Sequence, residues 1–451
     1  MDPRSDLRRI ARAALDSADP ARIVARSLRR EGRSLHVQTP DDERVVDLAA
    51  SPRLFVLGFG KAAGPMAQAV EQVLGDRIEQ GLIVVKPGHE TPLRVIRHVS
   101  GGHPVPDETS AQAAARIAAL ADEADARTLV LTLISGGGSS LLAAPMRQGD
   151  TEPTLADIQE TTRQLLDCGA AIEEMNCIRK HLLLLAGGKL ARRIAPAVSV
   201  SLILSDVVGD DIQTIASGPM SPDSTTFRQA LDIVRYYGID STLPPAVMRV
   251  LQEGTAGRLA ETPKPGAREF AVASHVLVGT NLLSLRAAAE QAAFLGYHPM
   301  ILTSHLCGEA REAARVLAAV AKDVAATGRP CPRPACLLAG GETTVTVKGK
   351  GKGGRNQEMA VSFLREIQNG SALLSRAWFL SFATDGEDGP TDAAGGHADA
   401  ELLEAARRAG LRIEDALSRN DSHTLLEKIG GLFNTGPTNT NVCDVQITLV
   451  V

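Results

Sequence analysis

Residues 128–145 read TLVLTLISGGGSSLLAAP. The unbroken leucine and β-branched run from Thr128 to Ile134 lacks the alternation of a half-exposed strand and the length of a helix, so it reads as a strand buried on both faces. It runs into Ser135, Gly136, Gly137, Gly138, Ser139 and Ser140, then into an apolar helical stretch. Strand, glycine turn and helix in that order make a βα unit of a mostly parallel sheet. Working outward, the same pattern recurs at Leu54–Leu57, Leu82–Val85 and Val198–Leu204, with alanine-rich helical stretches following most of them. The expected class is α/β.

The polar stretch 253–268, EGTAGRLAETPKPGAR, has glycine, proline and no apolar periodicity, so it reads as a linker. That divides the chain into an N-terminal Rossmann-like domain over 1–252, a mostly parallel sheet with flanking helices, and a C-terminal α/β domain over 269–451. The second sheet is expected to be mixed, because TTVTV at 343–347 alternates like a half-exposed strand. A length of 451 residues agrees with two or three domains at roughly 150 residues each.

Composition narrows the function classes. Hydrophobic residues at 44% and charged residues at 22% exclude a disordered or coiled-coil chain. The 48 basic and 53 acidic side chains leave a net charge of -5, without the positive field that gathers nucleic acid or an anionic membrane. Few aromatics (Phe 9, Trp 1, Tyr 3) argue against base-stacking platforms and for a small polar ligand. Six cysteines without a CxxC pair indicate neither a disulfide framework nor a zinc cluster. The arginine-rich amphipathic N-terminus is no signal peptide, so a cytoplasmic location is expected. A homo-oligomer is compatible with all of this.

In open α/β sheets ligands bind beyond the carboxyl ends of strands, so the residues that follow each strand carry the chemistry. FVLGFGKAAG (55–64) sets Lys61 among Gly58, Gly60 and Gly64. It also satisfies GxGxxA, but the next strand ends in Lys86 where a dinucleotide site needs an acid, so the nicotinamide signature is weak. The turn from Ser135 to Ser140 offers amides unencumbered by side chains for phosphate. NCIRKHLLLLAGGKLARRI (176–194) places Arg179, Lys180 and Lys189 near a glycine pair, as phosphate ligands or as a solvated helix face. SLILSDVVGDD sets Asp206 at a strand end, and FATDGEDGPTD clusters Asp385, Glu387, Asp388 and Asp392, as metal-binding carboxylates or as caps and turns. In GGETTVTVKGKGKGGRNQE, Glu342 precedes a lysine-glycine alternation that ends at Arg355 and Asn356. That loop, 348–354, is expected to be mobile and to deliver Arg355 on closure, because its glycines offer nothing to pack.

GFGKAAG, LISGGGSSLL, SDVVGDD, IASGP, GGETTVTV, GKGGRNQE, ATDGEDGPTDAAG and NTGPTNTNV, in this order over nearly the whole chain, resemble the glycerate 2-kinase family of the MOFRL type. The resemblance implies ATP-dependent phosphorylation of the 2-hydroxyl of D-glycerate to 2-phosphoglycerate, with magnesium, in a cleft between two α/β domains. Some members carry the label hydroxypyruvate reductase, so an NAD(P)H-dependent reductase is the rival enzyme and a noncatalytic small-acid-binding protein the rival outside catalysis. The family's active-site lysine and arginine fall on Lys61 and Arg355. The strand-end reading adds Ser135, Gly136, Gly137, Gly138, Ser139 and Lys189 for nucleotide phosphates. Gly60, Arg179, Glu342 and Asn356 are assigned to substrate, and Asp206 and Asp385 to Mg2+.

Overall fold

A computed structural model describes residues 2–41, 43–146, 152–369 and 372–451. Strands β1 (Leu28–Glu31), β2 (Ser34–Gln38) and β3 (Glu43–Asp47) form a small antiparallel sheet. A six-stranded sheet follows from β4 (Arg53–Phe59), β5 (Gln80–Val85), β6 (Arg97–Ser100), β7 (Thr128–Ile134), β8 (Val198–Leu204) and β9 (Ala273–Gly279), in the order β6-β5-β4-β7-β8-β9. From β6 to β8 every neighbouring pair is parallel. Every residue of β7 is buried, as its continuous apolar run requires.

The second large sheet contains β10 (His298–Leu306), β11 (Ala335–Gly341), β12 (Ala377–Ala383), β13 (Gly395–Ala398), β14 (Leu432–Phe433) and β15 (Asp444–Val450). Its order is β10-β11-β15-β12-β13-β14, with β10 and β11 parallel and every other pair antiparallel. The sheet is mixed, as TTVTV suggested, although that segment itself contributes no strand to it. Phe363 stacks on Phe379 at 4.5 Å and 3° in its core.

The compact units divide the chain differently from the expected 1–252 and 269–451. One unit, here the parallel unit, comprises Pro20–Leu204 and Asp210–Val278; the other, the mixed unit, comprises Met1–Asp19, Ser205–Gly209 and Gly279–Val451. The stretch 253–268 is not a free linker. Glu261 accepts from the His181 ring at 2.8 Å, and the buried Thr262 hydroxyl donates to Asp223 at 2.9 Å. Its anchors are polar, so apolar periodicity could not reveal them.

The N-terminal helix Pro3–Ser17 belongs with the mixed unit for a similar reason. Its face of Leu7, Ile10, Ala11 and Ala14 joins Leu285 and Ala288 in one core, and Arg4 forks onto Asp399 with two bonds of 2.7 Å. No helix among the described residues is long and apolar enough to cross a membrane.

The glycine-lysine segment overturns the expectation of a mobile loop. Lys348 and Gly349 N–H groups donate to Asn420 Oδ1 at 2.8 and 2.9 Å, Gly351 N–H to Arg419 O at 2.9 Å, and Lys352 N–H to Asp421 Oδ1 at 3.1 Å. A Cβ at Gly349 would lie 2.1 Å from Arg419 O, and one at Gly351 would lie 2.5 Å from Asp421 Cβ. Glycine alternates because the inward face lies directly on a neighbouring backbone, while Lys348, Lys350 and Lys352 remain exposed. Gly349→Ala is therefore expected to cost about 1–3 kcal/mol of stability in denaturant unfolding, the range for overpacking, and Lys350→Ala close to nothing. Equal, negligible effects would return the segment to a loose loop.

Candidate active site

In the parallel unit, the ends of β4 and β7 are tied together. Lys61 N–H donates to Gly136 O at 2.9 Å and Ala62 N–H to Ser135 Oγ at 3.0 Å. Gly60 has φ +123, and a Cβ there would sit 2.2 Å from Ser135 Oγ. A side chain at Gly58 would meet Ile83 at 2.7 Å, and one at Gly64 would meet Thr91 at 2.5 Å. All three glycines are thus required by packing within the chain. Gly60 and Ser135 shape the turn, and with Ser135 buried its expected role as a phosphate ligand is corrected to positioning Lys61.

The turn that follows is short. Gly137 is left-handed at φ +84 and caps a helix of four residues, Gly138–Leu141, too short to sum peptide dipoles into an appreciable macrodipole. Gly136 and Gly138 are buried; Gly137 and Ser139 are half-exposed. A Cβ at Gly137 would lie 2.9 Å from the His103 ring and 3.6 Å from Lys61 Cγ, so the turn, the histidine and the lysine stem adjoin. Ser139 Oγ and Ser217 Oγ share a bond of 2.8 Å, and Ser217 Oγ donates to Asn176 Oδ1 at 3.1 Å. Asn176 and Arg179 lie three residues apart on the helix Ile172–Leu182, hence on neighbouring positions of one face.

The basic residues separate by partner. Lys180 pairs with buried Asp223 at 3.3 Å. Lys189 donates to the Lys180 and Leu183 carbonyls, both at 2.6 Å, at the end of the same helix, and burial pulls its ammonium down to about 7. Its expected contact with phosphate is corrected: it is a helix cap. Lys61 and Arg179, in contrast, have no ion pair among the described residues, and burial lowers the Arg179 guanidinium from its ordinary value. Burying a guanidinium without a counter-ion is costly. His103 reports the charge of Lys61: burial first, then the charges of Lys61, Lys86 and His89, bring its ring down to about 4, and its Nδ1 is buried without a hydrogen bond.

In the mixed unit, Arg355 opens the helix Arg355–Gln368 and donates from Nε and one terminal nitrogen to the two oxygens of Asp444, at 2.6 and 2.9 Å; its other terminal nitrogen reaches Glu342 at 2.7 Å. Burial alone would lower the Arg355 guanidinium, but the Asp444 bond and charge outweigh it and hold it above its ordinary range. Burial pushes the Asp444 carboxyl up to about 7 against that pull. Three of the five guanidinium N–H groups are engaged, and two remain to meet a ligand. Arg355 is preorganised rather than delivered by a loop. Asp206 packs in this unit, its carbonyl accepting from Cys443 Sγ at 3.2 Å, and its charge together with those of Glu342 and Asp444 bears on the same thiol.

Asn356 and the acidic loop have other work. Asn356 is fully buried, accepts from Ser381 at 2.5 Å and donates N–H and side-chain bonds to Asp388, so its expected role in substrate binding is corrected to a support of the helix start. The loop carboxylate that matters structurally is Asp388, which also accepts from Gln357 N–H and Nε2; a Cβ at Gly354 would fall 2.3 Å from it. Asp385 accepts from Glu387 N–H at 3.1 Å, an Asx turn. Among the described residues no three His, Cys, Asp or Glu side chains converge on a cation position. Magnesium bound with nucleotide takes most of its ligands from phosphates and water and needs only one or two carboxylates from a protein.

Sequence reasoning missed His103, Ser217, Asn176 and Asp444. Ser217 stands in IASGP, where the signal was a motif without a reading; Asp444 heads the final strand, where an acid before VQITLV is the only hint. The His103 environment gives a test. By NMR its ring is expected to titrate near pH 4, and Lys61→Met should move that midpoint up toward 6.5, since one of the cations opposing protonation is gone. An unchanged midpoint would separate the Lys61 ammonium from His103.

Comparison with known proteins adds the family. A domain of unknown function, DUF4147, matches residues 6–252, and the MOFRL family matches residues 335–444. The chain is 39% identical to a glycerate 2-kinase of Pyrococcus horikoshii, with 100% of this chain and 98% of that protein covered. It is 40% identical to a putative hydroxypyruvate reductase of Agrobacterium vitis, covering 99% and 94%. The crystal structure of glycerate kinase from Thermotoga maritima superposes with a TM-score of 0.84 at 37% identity, covering 98% of each chain. The packed GFGKAAG turn, Arg355 and the mixed sheet thus sit in a chain that belongs to the glycerate 2-kinase family of the MOFRL type, a family of phosphotransferases.

Proposed function

We propose that the protein transfers the γ-phosphoryl group of ATP to the 2-hydroxyl of D-glycerate, giving 2-phosphoglycerate and ADP, with Mg2+ entering as the MgATP complex. The observation that carries this reading is a pair of cations with no ion pair among the described residues, Lys61 beside the glycine-serine turn and Arg179 on the helix that Asn176 ties to that turn. In the reaction the bond between the 2-oxygen and the γ-phosphorus forms as the bond to the β-bridging oxygen breaks, the electron pair leaves on ADP, and the hydroxyl proton passes to water. Catalysis of such a transfer rests on position and charge more than on covalent chemistry by the protein. The ion screens the phosphate charges from the incoming hydroxyl.

Lys61, fixed through its own N–H and that of Ala62, is suited to hold charge on the transferring group. Arg179 grips an anion of the bound reactants, and the two uncommitted N–H groups of Arg355 meet another. Lys61 belongs to the parallel unit and Arg355 to the mixed unit. The reductase reading has no comparable support: packing accounts for the glycines of GFGKAAG, and Lys86 stands where the ribose-binding acid belongs.

Pure protein with ATP, magnesium and D-glycerate should release ADP, and with NAD(P)H and hydroxypyruvate it should leave the nicotinamide absorbance unchanged. Lys61→Met is expected to lower kcat by about 10²- to 10³-fold while KM for glycerate changes less, the signature of a charge acting in the transition state. Arg179→Met should instead act mainly on KM. Loss of nicotinamide absorbance without ADP release would install the reductase, and a near-wild-type kcat in Lys61→Met would remove the lysine from the mechanism.

A further inference from the structure

The motif NTGPTNTNV has no part in the chemistry above, yet it lines a cavity of about 560 Å³ lying wholly within the mixed unit. One wall is the N-terminal helix, with Arg8, Arg12, Leu15 and Asp16; the other is the loop after β14, with Asn434, Thr435, Pro437, Thr438 and Thr440. His397 also lines it, with a relative exposure of only 9%. The His397 ring lies edge-on to Phe433 at 5.5 Å and has no hydrogen-bond partner among the described residues. Its ring nitrogens are not among the buried unpartnered polar atoms, so they are open to the cavity and available to a ligand.

The charges in the cavity are unevenly used. Arg12 is satisfied by Asp16 at 2.8 Å, one helical turn on. Arg8, a turn earlier on the same helix, makes no ion pair among the described residues, although Arg4 and Arg9 do. Its charge reaches His397, whose ring is brought down to about 4 by burial first and then by Arg8 and Arg4, against the opposing charge of Asp399. An anion between them would relieve both. The threonines present the opposite character. Thr435, Thr438 and Thr440 spend their hydroxyl hydrogens on the carbonyls of Gly436, Thr384 and Ala18, so each oxygen is left to accept, and Thr438 already accepts from Thr440 N–H at 3.4 Å. Lone pairs call for donors on the ligand.

We infer that this cavity is a second small-molecule site, and that it takes a hydroxyl-bearing organic phosphate, with the phosphate at Arg8 and His397 and the hydroxyls on the threonine oxygens. A cavity of this size holds such a molecule with room for water. Two sources share that chemistry, a nucleotide through its ribose and a phosphorylated hydroxy acid.

The experiment follows the His397 ring by NMR in the full-length protein, with the resonance assigned by its disappearance in His397→Gln. ADP, 2-phosphoglycerate and 3-phosphoglycerate are titrated separately, with inorganic phosphate as the probe lacking hydroxyls on carbon. At least one organic phosphate is expected to shift the resonance with a Kd below 1 mM by order of magnitude, at least tenfold tighter than inorganic phosphate. Arg8→Glu should weaken that binding tenfold or more, and Lys61→Met should leave it unchanged, which separates this site from the proposed catalytic one. A shift with ADP alone names the nucleotide as the source, and a shift with a phosphoglycerate alone names the hydroxy acid. No shift with any probe at 10 mM, on the order of ten times that limit, would overturn the inference. So would a shift that Arg8→Glu does not weaken, or one equal for inorganic phosphate. Arg8→Glu is on an exposed position, and Thr435→Val, which keeps the volume and removes the lone pairs, serves if that variant folds poorly.

Discussion

The candidate site depends on how closely the ends of β4 and β7 approach. Gly60 has Ser135 where its own Cβ would stand, and that contact lets the Lys61 amide reach Gly136 and the Ala62 amide reach the Ser135 hydroxyl. Any side chain at position 60 would push the two strand ends apart and move the lysine with them. The parallel register from Arg53 paired with Thr128 to Phe59 paired with Ile134 fixes the approach before the turn begins. Lys61 is thus held by backbone geometry set over seven residue pairs, which suits a charge that must be in place before a reaction rather than drawn to it.

A protein that buries cations must answer for each of them. Here Lys180 is answered by Asp223, Lys189 by two helix carbonyls, Arg311 by Glu358 and Arg355 by Asp444. Against that background the exceptions carry information. Arg179 is held with no carboxylate pairing it among the described residues, and the field that depresses His103 has no negative member among its causes. Desolvation without compensation is costly, and a chain that had only to fold could place an apolar residue there instead.

How much of this could be read in the sequence follows the physics of burial. The runs at 54–57, 82–85, 128–134 and 198–204 lie in β4, β5, β7 and β8 because strands buried on both faces write themselves as continuous apolar residues. The 253–268 stretch misled because Glu261 and Thr262 anchor it through polar contacts that leave no periodicity. The glycine-lysine segment misled in a more instructive way. Composition says that glycine lacks a side chain to pack, but not whether the backbone then wanders or is itself packed; Arg419 and Asp421 decide that here, and they lie some seventy residues away. The same holds for Lys189, whose carbonyl partners are set by where a helix ends, and for Asp444, whose arginine lies 89 positions earlier. Residue type and local spacing located Lys61 and its glycines; the partners that decide what each charge does are non-local.

Strained backbone lies beside the glycine-serine turn. Ala216, Ser217 and Gly218 occupy left-handed backbone in succession, with φ of 51, 59 and 59. The two non-glycine residues each cost on the order of 1–3 kcal/mol in that region. The segment is held against relaxation by Gly187 N–H on Ser217 O at 2.9 Å and Gly188 N–H on Gly218 O at 2.8 Å, while Ala216 fills the space that a side chain at Gly138 would need, 2.8 Å from its Cβ position. What the strain secures is the direction of one hydroxyl. Ser217 Oγ bridges Ser139 in the turn to Asn176 on the helix that carries Arg179. Relaxing Ser217 to right-handed backbone would swing that hydroxyl away and uncouple the turn from the helix, leaving the fold intact and the spacing between Ser139 and the Arg179 helix unset. A structure that needed only to be stable would relax it; one that must hold an anion between fixed donors has a reason not to.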